Sequence, residues 1–151
     1  MNVLVLGAGN SFRGDDAAGI LAARKLRALV PRGVAVIERE GELAGAVEAF
    51  LGQDAVFVID AVQSGAQPGS IVRLEAHARP VPVCFSRSST HAFGIAEAVE
   101  LARALGTLPP QVVVYGIEGK SFAAGAGLSI EIAPAVDEVV ERVLGEIAAH
   151  A

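Results

Sequence analysis

VLVLGAGNSFRGDDAAG, residues 3–19, is the stretch on which the fold turns. Residues 3–6 form an unbroken apolar run, as expected of a strand buried on both faces. Gly7 and Gly9 follow and allow a sharp turn without steric penalty. Asn10, Ser11 and Arg13 are polar, and Asp15 and Asp16 then stand just before a helical pattern. Aspartate suits a helix start because it accepts from free N–H groups and faces the positive end of the dipole. One acid is enough for that. Asp15 reads as the cap, which leaves Asp16 as the residue that calls for a function.

Working outward, residues 17–30 place Gly19, Ala22, Ala23, Leu26 and Val30 on one helical stripe, with small residues at the start so that the helix lies close to a sheet. A second strand is expected over 34–37 and a helix over 42–51. Residues 55–59 read as a third strand, fully apolar, with Asp60 directly after it. Residues 71–74 alternate apolar with charged, the pattern of a half-exposed edge strand, and the short connection into it implies an antiparallel partner. A long loop over 76–89 carries Pro80, Pro82, Cys84 and Phe85. Helices are expected over 92–105 and 134–148, on either side of an apolar fifth strand at 112–117. Alternating strands and helices mean an α/β fold. The expectation is one domain, 1–151, with a twisted five-stranded, mostly parallel sheet between helices. Its order is 2-1-3-5-4, with strand 4 antiparallel at an edge.

Composition narrows the function. The formal charge is -5 with no block of Lys or Arg, which argues against nucleic acid as a partner. Although 52% of residues are hydrophobic, no apolar run is long enough to span a bilayer. The N-terminal run leads into Gly and Asp rather than a small-residue cleavage site, so it does not read as a signal peptide. Cys84 is the only cysteine, no internal disulfide can form, and a reducing cytoplasmic setting is expected.

In an open sheet of this order, ligands bind at the carboxyl ends of strands one and three, where the connections diverge. Asp16 and Asp60 fall on those ends. His91 opens the helix after the long loop, behind Ser88, Ser89 and Thr90. Two carboxylates and an imidazole make an open oxygen and nitrogen site for a borderline divalent metal. Each residue also has a plainer reading: Asp60 as a turn cap, His91 as a solvated residue, Glu118 as a loop residue or a support for the site. His77, His150 and Cys84 read as structural. The glycine loop has a rival reading as a dinucleotide-binding turn over Gly7 and Gly9, with Glu38 or Glu40 as the ribose acid. Its third glycine is missing, because Phe12 stands there. No G-x-S-x-G elbow is present.

GAGNSFRGDDAAG resembles the G-x-G-N-x-x-x-x-D-[DE]-x-x-G opening of the hydrogenase maturation endopeptidases, which remove a C-terminal peptide from the large-subunit precursor of nickel-iron hydrogenases after nickel insertion. The resemblance continues through Val58-Ile59-Asp60-Ala61, Ser89-Thr90-His91, Tyr115-Gly116-Ile117-Glu118 and Gly127-Leu128-Ser129. It implies metal ligands at Asp16, Asp60 and His91 and a hydrogenase large-subunit precursor as partner. The expected metal is nickel, brought by that precursor, with another divalent cation expected in its place in a crystal. Two departures stand out: Asp16 where the family often has Glu, and Gly119-Lys120 where many members have Pro. No residue reads as a covalent nucleophile, so hydrolysis is expected to use water with a metal's help. The rival classes are the nucleotide-binding module and a binder that inspects the precursor's metal without cutting.

Overall fold

The computed structural model describes residues 1–82, 85 and 93–150. In chain order these form β1 (Val3–Gly9), a 3-10 turn (Gly14–Ala17), α1 (Ala18–Arg27), β2 (Val34–Glu40), α2 (Ala44–Ala49), β3 (Ala55–Val62), β4 (Ile71–Glu75), α3 (Ile95–Leu105), β5 (Gln111–Glu118) and α4 (Ala133–Ala149). The five strands make one sheet in the order 2-1-3-5-4. β4 pairs only with β5 and runs antiparallel to it, while the other pairings are parallel. β1 and β3 are buried along their whole length, as their apolar sequences require, whereas the alternating β4 is exposed or half-exposed throughout.

Two cores flank the sheet. α1 and α4 pack on one face through Ala18, Ala22, Leu26, Val136, Val139 and Val143, against Val5, Phe57 and Tyr115. α2 and α3 cover the other face through Ala46, Ile95 and Val99, against Leu6, Val58 and Val114. Alternate residues of each strand serve alternate cores, so Asp60 extends the line of Val56 and Val58 toward the α2/α3 side.

Strand ends differ from the sequence reading, and the differences shape the site. β1 does not stop at Leu6; Gly7, Ala8 and Gly9 pair on with Glu38, Arg39 and Glu40. β3 and β5 likewise run past their apolar runs, so Asp60 and Glu118 lie within strands rather than after them. Ladder pairing holds a polar residue in a strand where its own propensity would not. The β1–β3 ladder ends at Gly7 and Ile59, yet β3 continues beside β5 with Asp60 opposite Gly116. Beyond Ile59 the sheet therefore splits between β1 and β3, and Asp60 sits at the split. Three helices are also shorter at their starts than the apolar periodicity suggests, α1 beginning at Ala18, α2 at Ala44 and α3 at Ile95.

Candidate active site

Close backbone approach brings the opening loop over that split. A Cβ on Gly19 would lie 2.2 Å from the Ile59 carbonyl oxygen and 2.4 Å from that of Ala8. A Cβ on Gly7 would lie 2.4 Å from the Gly19 carbonyl oxygen. Only glycine lets the first turn of α1 rest directly on the ends of β1 and β3. Gly19 thus supplies the tight helix–strand packing that the missing third glycine at Phe12 does not. Phe12 itself is largely exposed.

The 3-10 turn just before α1 carries both acids. Asp16 and Asp60 are each only 3% exposed. The Asp16 carbonyl accepts from the Asn10 N–H at 3.2 Å and lies against Gly9, where a Cβ would come within 2.0 Å of it. Asp15 is fully buried and is not the helix cap expected from sequence, since neither the 3-10 turn nor α1 has a side-chain cap. Its carboxylate turns instead toward the segment after β5. It accepts from the N–H groups of Lys120 at 2.8 Å, Ser121 at 2.9 Å and Ser129 at 2.7 Å, and from the Ser129 hydroxyl at 2.8 Å. Burial alone would raise the Asp15 pKa, but these four donors outweigh it and hold the carboxyl below its ordinary value. A fourth buried carboxylate, Glu118, accepts from the Ser64 N–H at 3.0 and 3.2 Å and from the Ser64 hydroxyl.

Four carboxylates buried at the carboxyl end of one sheet are costly to maintain without a task, because burial penalises charge. The comparisons with known proteins supply the context. A family model for hydrogenase maturation proteases matches residues 23–146.

This chain belongs to the hydrogenase maturation protease family.

It is 28% identical to the hydrogenase 2 maturation protease of Escherichia coli, over 97% of this chain and 91% of that one. It is 31% identical to a Methanocaldococcus jannaschii protein provisionally named a hydrogenase maturation protease, over 97% and 96%. Among solved structures, the hydrogenase maturating endopeptidase HybD from E. coli superposes with a TM-score of 0.87, covering 100% of this chain and 94% of that one at 23% identity. The maturation protease HycI from Thermococcus kodakarensis gives 0.74 over 97% and 91%, also at 23% identity.

In this family member, Asp16 and Asp60 come to the split from β1 and β3. His91 and Cys84 lie outside the described residues. Among the described residues, no group of three His, Cys, Asp or Glu side chains is placed to hold a metal. The other two histidines are structural, as expected. The His77 ring meets the Val112 amide at 3.0 Å and so braces the opposite end of β5, and the His150 ring packs 6.1 Å from that of Phe57. The glycine loop departs from the dinucleotide-binding turn in its contacts. The space in front of Gly9 is filled by the Asp16 carbonyl, where a pyrophosphate would have to approach. Both candidate ribose acids are engaged as well, Glu40 by the N–H and hydroxyl of Ser11 at 2.9 Å and Glu38 by Arg24 and Arg27.

The Gly119 departure has a structural account. The Gly119 N–H donates to the Val62 carbonyl at 3.0 Å, which a proline could not do, and a Cβ there would lie 2.5 Å from the Phe122 ring. Ser64 and Ser129 hold two of the four carboxylates. Ser129 belongs to the Gly127-Leu128-Ser129 segment of the resemblance, whereas Ser64 is a loop serine that no sequence pattern marks, and only the three-dimensional contact gives it meaning.

Proposed function

We propose that this chain is a nickel-dependent endopeptidase that removes the C-terminal peptide of a nickel-iron hydrogenase large-subunit precursor, and that the precursor's own nickel docks between Asp16, Asp60 and His91. Family membership supports the reaction. The observation that carries the assignment to this crevice is the burial of Asp16 and Asp60 at the split between β1 and β3. Paired carboxylates in a largely water-excluded notch suit a divalent ion better than a solvated surface, and they fit the donor set expected of such a site.

Held there, the ion would supply Lewis acidity toward the scissile carbonyl and lower the pKa of the attacking water. The chain's residues do the rest. Whichever of Asp16 and Asp60 is less committed to the ion takes the proton of that water. Asp15, saturated by four donors, is no base; it fixes the 3-10 turn and so the position of Asp16. The backbone of Gly7 to Asn10 flanks one side of the crevice.

Incubating nickel-loaded precursor with the purified chain tests the proposal, with cleavage read by mass. Removal of the C-terminal peptide by the wild type, and its loss in Asp60→Asn, is the expected result. Stable binding of the loaded precursor without cleavage would instead make the chain an inspecting binder.

A further inference from the structure

The loop between β1 and the 3-10 turn commits its backbone donors internally. The Asn10 N–H donates to the Asp16 carbonyl at 3.2 Å, that of Ser11 to Glu40 at 2.9 Å and that of Phe12 to Asn10 Oδ1 at 2.9 Å. The N–H groups of Arg13, Gly14, Asp15 and Asp16 donate to the carbonyls of Asn10, Ala126, Ser121 and Arg13. The Ser11 hydroxyl is taken by Glu40 as well. Two side chains of the loop still have N–H groups to give, those of Asn10 and Arg13. In Asn10 the amide has one orientation, because only an oxygen can accept from the Phe12 N–H. The planar amide then holds Nδ2 in a fixed place on the side away from Phe12. Among the described residues no group accepts from Nδ2, and none holds the Arg13 guanidinium. Asn10 is half-buried and is the first residue past β1. Its neighbour Gly9 lies against Asp16, whose Oδ1 is 3.7 Å from where a Gly9 Cβ would stand. The β1–β3 ladder has by then ended, at Gly7 and Ile59, so this fixed amide belongs to the rim of the split.

We infer that Asn10 is a catalytic residue of the cleavage, its Nδ2 donating to the scissile carbonyl oxygen as that oxygen gains charge. Water adds to the carbonyl carbon, and the C=O electron pair moves onto oxygen, which accepts from Asn10. Collapse returns the pair and breaks the C–N bond. The amine leaves with the proton that Asp16 or Asp60 took from the water. A donor already fixed in place needs no reorganisation at that moment, which is what makes such a group effective. The Arg13 guanidinium is unheld and lacks that preorganisation. The amide is also neutral, so it does not pair with Asp16 or Asp60 and depress their basicity as a cation would. The inference rests on the endopeptidase reading, and its test keeps the two apart.

Steady-state cleavage of the nickel-loaded precursor is compared for the wild type, Asn10→Ser and Asn10→Asp. Each substitute keeps an oxygen for the Phe12 N–H, and with it the turn, but loses Nδ2. An unchanged thermal midpoint checks that the turn is kept. In both variants kcat is expected to fall about a hundredfold with KM unchanged, a split that a merely structural role would not produce. A second readout needs no substrate. The chain has only two asparagines, Asn2 and Asn10, and Asn2 Nδ2 already donates to the Gly52 carbonyl at 3.0 Å. In NMR of the free chain with labelled asparagine, the Asn10 side-chain protons are expected to exchange with water as fast as those of an unstructured peptide. A wild-type kcat in Asn10→Ser, or a loss confined to KM, overturns the inference and leaves the endopeptidase reading standing. Asn10 side-chain protons that are protected in the free chain overturn it too, because the donor is then occupied. Absence of cleavage by the wild type overturns the endopeptidase reading, and the inference falls with it.

Discussion

Asp15 shows how a residue can be recognised as important and still be misplaced. Its position before a helix is legible in the sequence, and capping is the plainest local use of it. Its partners are Lys120, Ser121 and Ser129, more than a hundred residues away, so no local pattern announces them. Removing the carboxylate in Asp15→Ala orphans three backbone donors in a buried place. We expect a loss of about 3 kcal/mol in urea unfolding. The pH dependence has a definite sign. The donors hold the carboxyl below its ordinary value of 3.8, so its contribution is fully present above that pH and fades as pH falls through the lowered folded value. The stability gap between wild type and Asp15→Asn should therefore narrow in acid below about pH 3.8; a gap that widens there would contradict the assignment. Asp16 and Asp60 were legible for a different reason. Their place at the ends of strands one and three follows from topology, which alternating strands and helices disclose.

At the scale of elements, the strand order and the antiparallel edge followed from which runs were wholly apolar and which alternated. The strand ends did not, because Gly7 to Gly9, Asp60 and Glu118 are held in strands by ladder partners and not by their own preference. Those unread extensions open the split that holds Asp60. The contact between α1 and the sheet at Gly19 fixes the other wall. Gly19→Val would drive a side chain into two backbone carbonyls that cannot move aside, and we expect it to cost about 3 kcal/mol. A thermal midpoint within a degree or two of wild type would show that α1 does not sit as tightly as described. α4 is tied to β4 and β5 by a second device. The Tyr115 hydroxyl bonds to Glu146, which Arg73 clasps at 2.6 and 3.0 Å. Burial, then the Glu146 carboxylate, pushes the phenol up to about 12. Tyr115 is the only tyrosine and the chain has no tryptophan, so tyrosinate absorbance reads this one group. Titration of the folded chain should centre near pH 12 and move toward 10 in Glu146→Gln. By linkage, the stability that this phenol contributes is intact below pH 10 and is lost as pH rises from 10 to 12.

For the whole molecule, the central claim is that a sheet split between β1 and β3 serves as a docking notch for a metal-bearing precursor. Buried Asp16 and Asp60 come to this split, and the Asp16 carbonyl fills the space against Gly9. No helix among the described residues is long and apolar enough to cross a membrane. The lone thiol, Cys84, has no part in the proposed chemistry, so Cys84→Ser should cut the precursor at close to the wild-type rate. A folded but inactive Cys84→Ser would point to a covalent route instead. The most direct test compares nickel-loaded and metal-free precursor as substrates for the wild type, Asp60→Asn and His91→Ala, with cleavage followed by mass. The account predicts that the wild type cuts the loaded precursor at least about a hundredfold faster than the metal-free one, and that both variants, though folded, cut neither. Equal cleavage of loaded and metal-free precursor, or full activity in Asp60→Asn, would contradict it.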